Sequence, residues 1–376
     1  MSYRGSEKEF ILSLFLLQNP MVLEEAIGIQ LGKMEAEVPV GRKKVDMFTV
    51  ETNRRLSVYI ESQIKPSDTI HLNTILGLLE SVREGIVIWI ARSFHRQHLE
   101  QVIAYLKKNK QKYISFHAIE IHPDAIAEVE KLNQLYKLDV WYQLKQISLI
   151  NHPPLKQIYT YSQIPSTHSG RAFEPANYDL TRVEDVKQYL LDRLRIRVPY
   201  YLNVWKAKKH NRYSNQLSVG AGKAGIDLKI SACNQQGLAS IFLHFDRHQR
   251  ELFDILRKNL HWFRDKIHPD LSAANRKIGV LFQPDALDVT ISKLAEILER
   301  MLTYFGPHLY DRYVPKEVFK SAIEHRSNDI NKMRYWVKEG VPGIHPKIVS
   351  LVLEEAENEQ AYKSQIEQLS ECFLAR

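Results

Sequence analysis

The chain has 376 residues, 44% of them hydrophobic and 26% charged, the balance of an ordinary globular protein with room for two domains. That composition excludes a disordered, collagen-like or membrane-embedded chain. Lys and Arg number 52 against 44 Asp and Glu, a net charge of +8, and this mild basic excess suits a polyanionic partner. Two cysteines, Cys233 and Cys372, exclude a disulfide framework or a cysteine-rich zinc site and fit a reducing, cytoplasmic compartment.

The apolar run Phe10 to Leu17 is too short to span a bilayer, which needs about 20 apolar residues. Its flanks, Glu7 and Glu9 before and Gln18-Asn19-Pro20 after, do not fit a signal peptide. A buried core element is expected there, with no membrane association. Val45 to Glu51 and Leu56 to Glu61 read as strands joined by a tight turn at Thr52 to Arg55. Asp68 to Val82 reads as a helix with Ser67 or Asp68 as its N-cap. Ile86 to Ala91 is apolar throughout and reads as a buried strand. His95 to Asn109 follows as a helix and Tyr113 to Ile121 as a strand. Such alternation predicts an α/β domain with a mixed sheet over residues 1–150.

Asn151 to Tyr178 carries Pro153, Pro154, Pro165 and Pro175 and reads as a linker over 151–178. A second, α+β domain is expected over 179–314. Thr181 and Glu184 have capping-box spacing before a helix from Val183 to Arg193. Strands are predicted at Gly225 to Ala232 and Ala239 to Phe245, and helices near Gln249 to Lys258 and Thr290 to Tyr304. From Pro315 the pattern is that of a helical tail, 315–376. The glycine-rich stretch Gly220 to Gly225 lacks the spacing of a phosphate loop and reads as a turn.

One group of residues carries possible chemistry. Asp46 lies near the start of one predicted strand and Glu61 ends the next, with Gln63 two residues beyond. Adjacent strands lie about 4.8 Å apart, so two carboxylates at paired ends can share a hard cation. Glu61 and Gln63 alternate onto one face, with Ser62 opposite. Such a site suits Mg²⁺ or Mn²⁺, which can act on a phosphodiester.

At Val40-Gly-Arg-Lys-Lys-Val-Asp46 and Ile60-Glu61-Ser62-Gln63 the chain resembles the PD-(D/E)xK nuclease superfamily, with Gln63 where lysine is common. Ser67 to Leu72, Val87 to Ala91, Phe94 and His98 resemble one branch of predicted nucleases. In that branch the nuclease-like domain is fused to a domain of unknown function labelled DUF4268, which Tyr201 to Trp205 and Leu252 to Trp262 also resemble. The resemblance implies a restriction-endonuclease-like mixed sheet flanked by helices. It implies Asp46 and Glu61 as metal ligands, Gln63 as the group that positions water, and a role in microbial defence. A first-helix glutamate would complete the metal shell: Glu25 is the choice, with Glu37 as its rival. Glutamine cannot supply the charge or base of a lysine, so the alternative is a nuclease-fold protein that binds without cutting.

His71 shares a helix face with Asp68. It is read either as a phosphate contact or as a partner of Asp68. Trp89 and His98 are expected to be structural. Between Arg182 and Lys223 there are ten Lys/Arg and three acids, a local excess of +7 with interleaved tyrosines and Trp205. That composition suits nucleic acid, DNA foremost, through Arg195, Arg197, Lys206, Lys208, Lys209 and Arg212. The alternative is a solvated helix face with buried aromatics. Homo-oligomerisation through the tail stays open.

Overall fold

The computed structural model describes residues 7–40, 43–170, 178–206, 215–310, 327–344, 349, 350, 352 and 353. The chain divides into two compact units, one of Met1–Gln134 with Val140–Ala176, the other of Leu135–Asp139 with Asn177–Arg376.

The first unit opens with α1 (Glu7–Gln18) and α2 (Pro20–Ile27). Phe10 through Leu16 are all buried, as expected of a helix apolar all round. No single helix among the described residues is long and apolar enough to cross a membrane. A six-stranded mixed sheet follows: β1 (Glu35–Val40), β2 (Lys43–Glu51), β3 (Leu56–Ser62), β4 (Glu84–Ala91), β5 (Tyr113–Ile121) and β6 (Leu155–Ser162). They stand side by side in chain order. The β1–β2, β2–β3 and β5–β6 pairs are antiparallel, while β3–β4 and β4–β5 are parallel.

Connection length explains this pattern. A four-residue turn with Arg55 at φ 57° can only reverse the chain, so β2 and β3 form a hairpin. Helices α3 (Thr69–Ser81) and α4 (Arg96–Lys108) carry the chain back across the sheet, so β3, β4 and β5 run parallel. Gly85, at φ 133°, starts β4 where an added Cβ would lie 2.6 Å from the Ser57 carbonyl oxygen; only glycine fits that approach. From Gly85 to Ala91 every residue of β4 is buried, as its apolar run requires. Helices α5 (Pro123–Gln134) and the single-turn α6 (Val140–Gln143) precede β6.

The stretch read as a linker from Asn151 to Tyr178 needs correction, because β6 lies inside it. As an edge strand it pairs with β5 alone, and its residues alternate between more and less exposed. The sequence LKQIYTYS therefore has no apolar run to announce it. The prolines bracket the strand rather than dissolve it.

In the second unit, α7 (Val183–Arg197) precedes a five-stranded antiparallel sheet. Its strands are β7 (Leu217–Gly220), β8 (Ile226–Ser231), β9 (Ala239–Phe245), β10 (Ser272–Ala274) and β11 (Lys277–Phe282), in the order β10-β11-β9-β8-β7. Helices α8 (Arg250–Lys258), α9 (Leu260–Lys266), α10 (Leu287–Leu309) and α11 (Ser327–Lys338) complete the described part. Ile241, Leu243, Ile278 and Val280 from the sheet share one core with Leu294, Leu298 and Phe305 of α10. The expected capping box is not formed. Thr181 Oγ1 donates to Asp179 Oδ1 at 2.6 Å, and the residue before α7 is Arg182, which makes no side-chain cap. Apart from α11 and a few residues around 350, the tail expected from Pro315 lies outside the described residues.

Asp68 caps the start of α3 by accepting from the His71 N–H at 2.9 Å. Its other end is closed from a distance: Lys112 Nζ donates to the carbonyls of Leu79, Glu80 and Val82 at 2.5, 2.8 and 3.0 Å. A cation at a helix C-terminus satisfies orphan carbonyls and complements the dipole. Replacing Lys112 with Met keeps the aliphatic stem and removes the donors. It should lower the stability of the full chain by about 1–2 kcal/mol in urea unfolding, and an unchanged midpoint would show the contact to be idle.

Candidate functional site

Register brings three of the candidate acids of the first unit, Glu37, Asp46 and Glu61, abreast on adjacent strands. Ala36 pairs Met47 and Val38 pairs Val45, which sets Glu37 across from Asp46. Met47 pairs Ile60, so one further step along that register sets Asp46 across from Glu61. Glu61 in turn pairs Trp89 of β4. Alternation places Glu61 with Tyr59 on the face packed by α3 and α4, while Val45 and Phe48 both lie in that cluster, so simple alternation is broken around Asp46. Three carboxylates thus stand in successive register on β1, β2 and β3.

The ladder between β2 and β3 stops at Met47 and Ile60 for a visible reason. The Ser62 N–H donates to Asp46 Oδ2 at 2.8 Å, and the Ser62 hydroxyl bonds the same oxygen at 3.1 Å. A side chain has replaced the backbone acceptor. Ser62 Oγ also meets Ser13 Oγ of α1 at 3.2 Å, which ties the first helix to the site. Burial pushes the Asp46 carboxyl up to about 6 from its ordinary 3.8. The Ser62 N–H opposes that rise, Glu37's charge adds to it, and the charge of His71 opposes it weakly. Glu61 is only 5% exposed. Glu37 holds φ 60°, a left-handed conformation that side-chain-bearing residues seldom adopt, and pairs with Lys44.

In donor chemistry this set suits a hard divalent cation, since all three side chains offer oxygen, the choice of Mg²⁺ and Mn²⁺. Their ligand atoms do not all lie within 4.8 Å of one another, so a cation would have to draw them together. A cation would also relieve the cost of ionising Asp46 beside another carboxylate.

Glu25 is not brought to this group. It is exposed on α2, and α2 is anchored at the opposite end of β2: Glu24 Oε1 accepts from the Leu31 N–H at 2.7 Å, and Leu31 bridges to Glu51. Five residues of extended strand separate Glu51 from Asp46, roughly 17 Å. The rival, Glu37, is the glutamate that register places beside Asp46.

Gln63 also stands otherwise than expected. It is 0% exposed, and both ends of its amide are engaged. Its Oε1 accepts from Trp89 Nε1 at 3.1 Å, while its Nε2 donates to the Pro66 carbonyl at 2.6 Å and reaches Asp68 Oδ2 at 3.5 Å. Its Oε1 keeps a second lone pair, but an amide buried this completely is closed to a water from solvent. It bolts the end of β3 to β4 and to the entry of α3. Lysine could not accept from the tryptophan, which gives a physical reason for glutamine here. Trp89 is fully buried, packed edge-on against Phe94 and stacked with His98. Ser67 bonds His98 Nδ1 and accepts from the His95 N–H, both at 2.9 Å.

His71 Nδ1 lies 3.0 and 3.1 Å from the two oxygens of Asp68. Burial raises the Asp68 carboxyl, but the His71 N–H and ring outweigh it and hold the group below its ordinary value. The pairing with Asp68 is therefore formed, and His71 remains close enough for its charge to act on Asp46.

Part of the basic segment of the second unit is engaged by the protein's own groups. Arg195, 12% exposed, donates to the Val204 carbonyl and to Asp192 and lies over the Trp205 ring. Arg193 bonds Tyr189, whose hydroxyl bonds Asp288. Tyr201 is buried and donates to the Gly220 carbonyl, and Trp205 Nε1 donates to the Pro199 carbonyl. These aromatics are not displayed for stacking on bases. Arg197 is exposed and Lys206 half-buried. Lys208, Lys209 and Arg212 lie outside the described residues.

Two outcomes follow. Gln63→Leu leaves the Trp89 N–H without its acceptor and should cost about 2–4 kcal/mol in urea unfolding; a loss below ~0.5 kcal/mol would show that the bolt is not tight. Asp46 titrates higher folded than unfolded, so its contribution is greatest below pH 3.8 and fades as pH rises through about 6. Against Asp46→Asn as reference, metal-free protein should lose melting temperature across that window. The gain from Mg²⁺ or Mn²⁺ should be larger at pH 7.5 than at pH 5, because proton and cation compete for one carboxylate. A pH-independent gain would contradict this.

No protein-family model matches the chain, which leaves the likeness of its second half to DUF4268 without support, and no curated protein matches it. Among solved structures it aligns weakly with the crystal structure of a repair endonuclease from Pyrococcus abyssi. The two are 21% identical, over 32% of this chain and 49% of that one, with a TM-score of 0.22. The alignment thus spans about half of the endonuclease chain, and at that score no activity follows from it.

Proposed function

We propose that the first unit is a divalent-cation-dependent nuclease domain hydrolysing phosphodiester bonds in nucleic acid, DNA foremost, with Mg²⁺ or Mn²⁺ held by Asp46 and Glu61 and by Glu37 beside them. The observation that carries this reading is the row of carboxylates across β1, β2 and β3, with the Asp46 carboxyl pushed up to about 6 by burial and by its acidic neighbour. A cation there supplies positive charge to offset the charge that develops on a phosphodiester in the transition state. The chain's own part is positional. The Ser62 N–H and hydroxyl hold one oxygen of Asp46, Asp68 holds His71, and in this reading the His71 ring would meet a phosphate oxygen. The resemblance to a branch of predicted nucleases extends the reading to microbial defence.

One observation favours a second reading, a nuclease-fold protein that binds without cutting. Gln63 is sealed by Trp89 and Pro66, so the position that often carries the catalytic lysine has no group to offer the reaction. The basic residues Arg193 and Arg195 are spent on internal contacts as well.

Plasmid and single-stranded DNA incubated with Mg²⁺ or Mn²⁺ separate the two. Wild type should cut only with metal. Asp46→Ala/Glu61→Ala should cut at least ~100-fold more slowly, on the scale of losing one preorganised electrostatic contributor. Intact substrate under every condition, with salt-sensitive DNA binding retained, would select the non-cutting reading.

A further inference from the structure

A second cluster of ligating side chains lies elsewhere in the first unit. His122 follows the last residue of β5, Asp124 lies in the first turn of α5, and His152 stands three residues before β6. One ligand atom from each lies within 4.8 Å of the others. The imidazole rings are 4.7 Å apart, tilted by 32°, and His122 Nδ1 is 3.5 Å from Asp124 Oδ2. Donors around a tetrahedral zinc, each at about 2.0–2.1 Å from the ion, stand roughly 3.3 Å apart. The closest pair is already near that spacing, and half-buried His122 with exposed Asp124 and His152 needs only small rotations to close the rest.

The backbone under these side chains is fixed. The His122 N–H donates to the Pro154 carbonyl at 2.9 Å, and its own carbonyl accepts from the Ile126 N–H at 3.2 Å. Leu155, the first residue of β6, pairs Ile121. The two histidines therefore face each other across the point where the edge strand joins the sheet. His122 Nδ1 takes one long hydrogen bond, 3.2 Å from the Asp124 N–H, and a metal at that nitrogen would replace it.

We infer that His122, Asp124 and His152 form a binding site for a borderline transition-metal ion, Zn²⁺ foremost, which clips the entry of β6 to the exit of β5. Two imidazoles and one carboxylate select Zn²⁺, Co²⁺ or Ni²⁺ over Mg²⁺ or Ca²⁺, which prefer oxygen. The site is separate from the carboxylate row. Glu61 is two strands away and about four residues lower along them, roughly 16 Å, far beyond the ~4 Å of a paired-metal centre. The inference does not rest on the nuclease reading.

The test uses the full chain carrying Asp46→Asn and Glu61→Gln, so that the other carboxylates do not compete. Calorimetric titration with Zn²⁺ should give one site with Kd of ~10 μM or tighter, and Co²⁺ should give a visible d–d spectrum of low coordination number. His152→Gln, in an exposed bend, and His122→Ala should each weaken binding at least ~10-fold and abolish that spectrum, with the far-ultraviolet circular dichroism unchanged. Zn²⁺ should raise the melting temperature of the parent but not of His152→Gln. Binding that survives both histidine substitutions, or a Kd above ~1 mM, would overturn the assignment.

Discussion

Placing Glu37, Asp46 and Glu61 in successive register across β1, β2 and β3 is the constraint on which the first unit turns. A buried acid beside another acid resists ionisation, and Asp46 responds by holding its proton up to about 6. The protein tolerates this because Asp46 Oδ2 has taken over the role of a strand carbonyl, accepting the Ser62 N–H where the ladder would otherwise continue. The same oxygen that strains the electrostatics closes the end of the β2–β3 pairing. A divalent cation bound there would offset the same repulsion.

Behind that row stands a second layer built on Gln63. Its amide joins three elements that the chain visits in succession: the end of β3, the middle of β4 through Trp89, and the start of α3 through Pro66 and Asp68. Asp68 then caps α3 and holds His71. The residue that sequence pattern assigns to water is thus used as a structural bolt, and the charge nearest to Asp46 from α3 is that of His71.

Most of this unit was legible before the structure. The hairpin of β2 and β3, the buried strand β4 and the capped helix α3 each carry a local signal: a short turn between alternating residues, an unbroken apolar run, an Asp before a broad apolar face. Asp46, Glu61 and Gln63 were legible as neighbours because strand pairing sets Asp46 across from Glu61. What was not legible depends on contacts distant in sequence. Glu37 could not be preferred over Glu25 until β1 was seen to pair with β2. Edge strand β6 hides among prolines because it buries only alternate side chains. The engagement of Gln63 needed Trp89, 26 residues away. In the second unit, composition suggested a nucleic-acid surface, but two of its arginines, Arg193 and Arg195, are paired with Asp288 and Asp192.

The central claim is that the carboxylate row binds a divalent cation. Electron paramagnetic resonance of Mn²⁺ measures it directly in the full chain carrying His122→Ala, which removes the other candidate ligand set. The account predicts one bound Mn²⁺ per chain at pH 7.5, displaced by Mg²⁺ and lost in Asp46→Asn. Mn²⁺ that stays free in solution, or binding that Asp46→Asn leaves unchanged, would contradict it.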